Sequence, residues 1–275
     1  MIIQQYKRSP IAMAPNEIAK CINKYTRHTS FVDSVLHPEA DFIHFHNKSE
    51  FINLPQAITY HSEPEKVNLN YKYSKSVIAQ YHATLPEYAG CVPVRNIIDF
   101  YQESFNFYSP EKIRIGFSPS KKMKSSEWND KGYGETRKII EKVRDLMDVE
   151  IDIISGVSLE EVIERKQKCS IIIDECKTKS YHRSALEGLA LGKMTICSIG
   201  EDVQEVVKNI TGQYLPVENV DISRLETFLI EVVEKFSAQD LAELGKNRRS
   251  WMETYWNPKD VIVEYLNLYG VVYAK

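Results

Sequence analysis

From residue 113 onward, short apolar runs alternate with stretches in which apolar side chains recur three and four positions apart. Residues 113–117 form an apolar run that stops at Ser118-Pro119, as a buried strand stops at a loop. A polar segment rich in Lys and Ser leads to Gly132, after which Ile139, Ile140, Val143, Leu146 and Met147 hold helical spacing across 135–147. Residues 149–154 are strand-like and broken at Gly156. Ser158 and Glu161 then have capping-box spacing and open a helix to about Lys168. Residues 171–174 and 194–198 predict two further strands, separated by a short apolar helix that Gly192 stops. Strands alternating with helices imply βαβ units and a parallel sheet covered on both faces. On such sheets ligands bind beyond the carboxyl ends of the strands. The loops at Ser118, Gly156, Glu175 and Ser198 are therefore expected to converge on one edge.

The first half has a weaker pattern. Residues 40–45 and 57–60 are strand-like, 76–79 less so, and 93–99 closes this half before an aromatic and polar linker at 101–110. From Leu225 the chain is mainly helical, with Pro258 at a helix start. No repeat or low-complexity segment interrupts it.

Composition narrows the function classes. Hydrophobic residues make up 43% and charged residues 27% of 275 positions, as in an ordinary globular protein. A net charge of -3 provides no global positive field for nucleic acid or anionic lipid. The five cysteines include no C-x-x-C pair, which argues against a zinc ribbon or redox motif and fits a reducing compartment. No apolar run has signal-peptide or membrane-span length, so a cytoplasmic, soluble protein is expected.

The chemistry concentrates in Ser180-Tyr-His-Arg-Ser-Ala-Leu-Glu187-Gly-Leu-Ala-Leu-Gly192-Lys-Met-Thr-Ile-Cys197. A polar loop opens a short helix, whose first N–H groups lack intrahelical acceptors and carry the positive end of the helix dipole. Such a helix start holds phosphate, and Glu187 one turn inside suits a sugar hydroxyl. Phosphate cradle and carboxylate together suit a sugar nucleotide. Ser184 and Glu187 also have the S-x-x-E spacing of an ordinary capping box.

These segments together resemble the GT-B glycosyltransferases, most closely the retaining group-1 (GT4-like) family. The match covers Lys131-Gly132, the Asp that ends the 171–174 strand, and the Ser-Ala-Leu-Glu-Gly-Leu-Ala-Leu-Gly-Lys helix. In the first half it covers Ala40-Asp-Phe-Ile-His-Phe-His-Asn47, Ile58-Thr-Tyr-His-Ser62 and Val94-Arg-Asn-Ile-Ile-Asp99. The resemblance implies an α/β chain of two Rossmann-like domains with parallel sheets facing across a cleft. Residues 1–108 would be the acceptor side, 109–256 would bind the nucleotide-sugar, and the helix at 257–275 would cross back. It further implies a metal-independent, retaining hexosyltransferase that needs no cofactor and uses a nucleoside-diphosphate donor such as a UDP-sugar. The acceptor hydroxyl would belong to a saccharide, lipid, small molecule or modified DNA base.

Residue by residue, the resemblance puts Lys131 and Lys121 on the donor phosphates with Arg183, Ser184, Ala185 and Leu186. Glu187 would hold the ribose, and its replacement by alanine is expected to abolish donor binding with the fold intact. Gly156 would let the base approach the backbone, and His61 would place the transferred sugar. Lys179 and His182 stand where the family commonly has Glu and Gly, so they become candidate sugar contacts. Ile11-Ala-Met-Ala-Pro15 replaces a glycine-rich first loop. His44 and His46 are assigned to opposite faces of their strand, which leaves them no shared metal. Two alternatives stay open. Basic residues Lys121, Lys122, Lys124, Lys131, Lys177, Lys179 and Arg183 suit an enzyme acting on modified bases of viral DNA. Lys179 and His182 suit a catalytically degenerate GT-B binding module.

Overall fold

The computed structural model describes residues 1–7, 13–50, 52–67, 69–119 and 131–270. The chain divides into two compact units. One comprises Met1–Asp99, Asn209–Gly212 and the chain from Trp256; the other comprises Phe100–Lys208 and Gln213–Tyr255.

The first unit is built on a six-stranded, all-parallel sheet of β1 (Ile2–Tyr6), β2 (Thr29–Asp33), β3 (Phe42–His46), β4 (Gln56–Tyr60), β5 (Ser74–Ile78) and β6 (Val92–Val94). Its order is β2-β1-β3-β4-β5-β6. The strand order reverses between β1 and β3, and a crevice opens at the carboxyl ends of strands at such a point. Helix α1 (Ala14–Tyr25) follows β1. Neither β1, α1 nor β2 stands out in the sequence pattern. In β1 the reason is plain: Gln4 and Gln5 are fully buried where an apolar side chain is the usual occupant of a central strand.

The second unit carries a five-stranded parallel sheet of β7 (Arg114–Phe117), β8 (Glu150–Ile153), β9 (Ile171–Glu175), β10 (Met194–Cys197) and β11 (Glu218–Asn219). Its order is β11-β10-β9-β7-β8, with a switch point between β7 and β9. Between the strands run α2 (Tyr133–Leu146), α3 (Leu159–Gln167), α4 (Arg183–Ala190) and α5 (Glu201–Thr211). Helices α6 (Leu225–Lys235) and α7 (Ala238–Tyr255) follow in this unit, and α8 (Pro258–Leu268) belongs to the first. The α/β expectation for 113–198 therefore matches the structure. Ser158 caps α3, its Oγ accepting the Glu161 N–H at 3.2 Å.

Among the described residues, apolar clusters pack against each sheet. Phe45, Ile58, Tyr60 and Val77 centre the first, and Ile115, Phe117, Ile140, Ile171, Ile173, Ile196 and Leu229 the second. Helix α4 ends in a Schellman turn: Lys193 N–H reaches Gly188 O at 2.9 Å, Gly192 N–H reaches Leu189 O at 3.0 Å, and Gly192 takes φ 66°. Gly245 of α7 lies directly against that turn. A Cβ at Gly245 would stand 1.8 Å from the Gly192 carbonyl oxygen, and backbone cannot swing aside as a side-chain tip can. Gly245→Ala is therefore expected to destabilise the protein by at least about 1–3 kcal/mol, the range of overpacked sites, as read from denaturant midpoints. No helix among the described residues is long and apolar enough to cross a membrane.

Candidate functional site

In β9, Ile171, Ile173 and Glu175 alternate with Ile172 and Asp174. The register with β10 jumps here, Ile196 pairing with Ile173 and Cys197 with Glu175, so Asp174 is left out of the ladder. Its buried carboxylate accepts from Lys131 Nζ at 2.9 Å and from the His182 backbone N–H at 2.6 Å. The His182 ring Nδ1 lies 3.4 Å from the same group. Burial alone would raise the Asp174 carboxyl, but Lys131 and His182 hold it well below the usual carboxylate range. For His182, burial and the neighbouring Lys131 outweigh Asp174 and lower the pKa, which leaves the imidazole neutral at pH 7. Lys131 precedes Gly132, and both adopt positive φ, 53° and 66°. That turn fixes the ammonium at the end of β9, close to the β7–β9 switch point.

Helix α4 begins at Arg183 with His182 as its N-cap residue. Ser184 is thus inside the helix and forms no capping box. Its Oγ accepts instead from Lys166 Nζ at 2.8 Å. The same ammonium donates to Glu187 Oε2 at 2.6 Å, while Arg183 Nε donates to Glu187 Oε1 at 2.8 Å. Lys166 and Glu187 are almost wholly buried, with side chains 1% and 4% exposed. Burial raises the Glu187 carboxyl, yet Lys166 and Arg183 more than offset it and the net shift is downward. A carboxylate has further lone pairs, so it retains acceptor capacity. Ala185 and Leu186 are fully buried, and the Ala185 N–H already reaches His182 O at 3.1 Å.

Lys166 is absent from the sequence-based candidates. It sits in Glu164-Arg-Lys-Gln-Lys168, a stretch indistinguishable from a solvated helix face. The one local hint is that 166 follows Ile163 by three positions, on the buried stripe of α3.

Other candidates are placed differently. Lys179, at φ 56°, donates to Ser198 Oγ at 3.0 Å and Asp221 Oδ2 at 2.8 Å. Gly156 takes φ 72°, and space is open where a side chain would start. Lys121 lies outside the described residues, as do Lys122, Lys124 and Ile11. Glu175, beside Asp174, is fully buried, and its Oε2 accepts the N–H groups of Lys177 at 2.8 Å and Thr178 at 2.5 Å. Its Oε1 has no hydrogen-bond partner among the described residues. Burial is the main cause that pushes this carboxyl up to about 7.

His61 belongs to the first unit, just past β4, at the edge where β1, β3 and β4 end. Its backbone N–H donates to Asn47 Oδ1 at 2.6 Å, and Asn47 adopts φ 66°. Its ring Nε2 lies 2.9 Å from His46 Nδ1. The sequence reading of His44 and His46 is corrected here. Residues two apart in a strand share a face, and the two rings lie side by side with centroids 4.3 Å apart, tilted by 42°. Their nitrogens bond to Gln5, Thr59, Tyr269 and His61. Among the described residues no group of three or more His, Cys, Asp or Glu side chains is arranged to hold a metal ion.

Two parallel, Rossmann-like sheets with flanking helices are the fold of the GT-B glycosyltransferases, and solved structures share it over almost the whole chain. A glycosyltransferase from Rickettsia africae aligns with a TM-score of 0.55 at 14% identity, over 98% of this chain and 97% of that one. Sucrose-phosphate synthase from Thermosynechococcus elongatus gives 0.57 at 10% identity, covering 98% of both chains. Anabaena HepE, solved with UDP and glucose, gives 0.57 at 12% identity over 97% of this chain and 99% of that one. No family model matches the sequence, and no curated protein matches it either. The class these comparisons define is the GT-B fold.

Proposed function

We propose that the protein is a glycosyltransferase that moves a sugar from a nucleoside-diphosphate donor to an acceptor hydroxyl. The observation that carries this reading is the cluster of Lys131, Lys166 and Arg183 with Asp174 and Glu187 around the start of α4. It lies at the carboxyl edge of β9, where parallel α/β sheets bind their ligands. Catalysis of this reaction is chiefly stabilisation of the departing diphosphate, and cations held in place supply that without reorganising. Lys131 is such a cation: Asp174 holds it through one N–H, and an ammonium has three to offer. Glu187, steadied by Lys166 and Arg183, would take the ribose. Gly156 would admit the base, and Lys179, His182 and His61 would meet the sugar. Lys121 would add a second charge to the phosphates. The GT4-like resemblance favours transfer with retention, without a metal ion and with UDP as the leaving group.

The viral-DNA alternative is weaker among the described residues. Lys131, Lys177, Lys179 and Arg183 each pair with a carboxylate: Asp174, Glu135, Asp221 and Glu187 respectively. Acidic and basic groups therefore alternate there, in place of the uniformly basic face that tracks a nucleic-acid backbone.

The test is a thermal-shift panel of nucleoside diphosphates and their sugars, with and without EDTA. One base family is expected to stabilise the protein by about 2.7 kcal/mol at a hundredfold excess over Kd, unaffected by EDTA. Proton NMR of the product with that donor should show the donor's anomeric configuration retained. Absence of a shift with every nucleotide would sink the reading and favour a degenerate module.

A further inference from the structure

Across the β1–β3 switch point of the first unit runs a chain of buried polar side chains with a readable direction. Gln5, His44, His46, Thr59 and Ser76 are at most 1% exposed, and Ser30 is 4% exposed. Ser30 Oγ donates its proton to Ile3 O at 2.8 Å, so it must accept from Gln5 at 3.2 Å. The amide nitrogen of Gln5 therefore faces Ser30.

The other branch agrees. Ser76 Oγ donates to Ile58 O at 3.2 Å and so accepts from Thr59 Oγ1 at 2.7 Å. Thr59 then accepts from His44 Nε2 at 2.7 Å, and His44 Nδ1 accepts from the Tyr269 hydroxyl at 2.9 Å. Tyr269 lies 3.5 Å from the same Gln5 nitrogen, and its oxygen faces that donor as an acceptor. Both branches end on backbone carbonyls, and both need the Gln5 nitrogen on this side.

With that orientation Gln5 Oε1 points at His46 Nε2, 3.1 Å away, and can only accept. His46 must then carry its proton on Nε2. Burial, aided by His44, His61 and Lys7, keeps His46 neutral, and a neutral imidazole has one N–H. His46 Nδ1 is therefore a bare acceptor, and His61 Nε2, 2.9 Å away, must be the donor. His61 is also neutral, its pKa pushed down to about 3 by burial and by His82.

We infer that Gln5 and His46 are positioning residues that lock His61 as its Nε2–H tautomer, leaving Nδ1 as a fixed acceptor for a sugar hydroxyl. No proton leaves the imidazole in this arrangement: Nδ1 accepts a hydrogen bond and orients the hydroxyl that gives it. The sugar part of this inference rests on the proposed glycosyl transfer. The tautomer does not.

Nitrogen-15 NMR of histidine-labelled protein separates the two. Long-range proton–nitrogen correlations should show His61 Nε2 and His46 Nε2 protonated and both Nδ1 atoms bare. Gln5→Met removes the acceptor of His46 and is expected to mix both tautomers. It should also lower kcat about tenfold, the loss of one hydrogen bond to the transition state, with the donor KM nearly unchanged. A protonated His61 Nδ1 in the unaltered protein overturns the proposal even if Gln5→Met fails to fold. An unchanged His61 tautomer in folded Gln5→Met overturns it too. The expected tautomers, with His61 Nδ1 unmoved by any sugar nucleotide or saccharide, would uphold the lock and reject the sugar as its partner.

Discussion

Glu187→Ala will cost the protein about 3–5 kcal/mol of stability, because it strips a buried ammonium of its counter-charge. Lys166 would keep only the Ser184 hydroxyl, at 2.8 Å, in a place where its side chain is 1% exposed. Arg183, whose side chain is 23% exposed, can turn to water, but Lys166 cannot without opening the packing between α3 and α4. The expectation of an intact fold after this substitution therefore needs revision: lost donor binding in Glu187→Ala would mix unfolding with lost contact. The surface pair Lys246–Glu243, with side chains 57% and 65% exposed, is the control, and Glu243→Ala should change stability by less than about 1 kcal/mol. Lys166→Met combined with Glu187→Leu removes both charges and should recover most of the loss. Urea midpoints of the four proteins check this. Equal loss in the single and double variants would mean that the ion pair is not what holds α4. The sign with pH follows from the lowered Glu187 carboxyl: its stabilisation is whole above a glutamate's ordinary 4.5 and disappears as pH falls through the folded value.

Glu175 works in the opposite sense. Its carboxyl is raised from 4.5 to about 7, chiefly by burial. Between those values the folded chain binds a proton that the unfolded chain has released. The contribution of Glu175 to stability must then fall as pH rises through this window. The shift corresponds to about 3 kcal/mol, fully lost above pH 7 or so. Glu175→Gln keeps an oxygen for the Lys177 and Thr178 N–H groups and carries no charge. Both proteins should gain stability from pH 5 to about 6.5, because the buried neutral histidines His44, His46, His61 and His182 take up protons only on unfolding. Glu175→Gln should lack the superimposed Glu175 loss, so its advantage over the unaltered protein should grow across this range and be largest at pH 8. Melting temperatures of both proteins across this range decide the matter; parallel curves would refute a titrating Glu175. Because Glu175 follows Asp174, ligand affinity should be measured at pH 6 and pH 8 on the same samples.

Much of the second unit is legible because its signals are local. An unbroken Ile171-Ile-Ile run can only be satisfied by a strand buried on both faces, and the spacing of Ile139, Ile140 and Val143 by a helix with one apolar side. Ser158 caps within its own turn, and Gly192 supplies the positive φ that stops α4. In the first unit the same reasoning misses β1, since a strand with two glutamines looks polar until their partners are known. His44 and His46 are a different case: their two-residue spacing already puts both rings on one face of β3, against the expectation of opposite faces.

The sequence by itself determined the alternation of strand and helix, the parallel sheets that alternation requires, and the Asp174-to-Gly192 segment in which the candidate site residues are concentrated. Only the tertiary structure decided which charges meet. Lys166 and Glu187 are 21 residues apart and Lys131 and Asp174 are 43 apart, yet each pair lies within hydrogen-bond distance. A helical period records which side of an element faces inward, because each turn of chain enforces it. It holds no record of what lies opposite on another element. Strand order and helix docking settle that, and with it whether a lysine is a solvated side chain or the buried partner of a carboxylate.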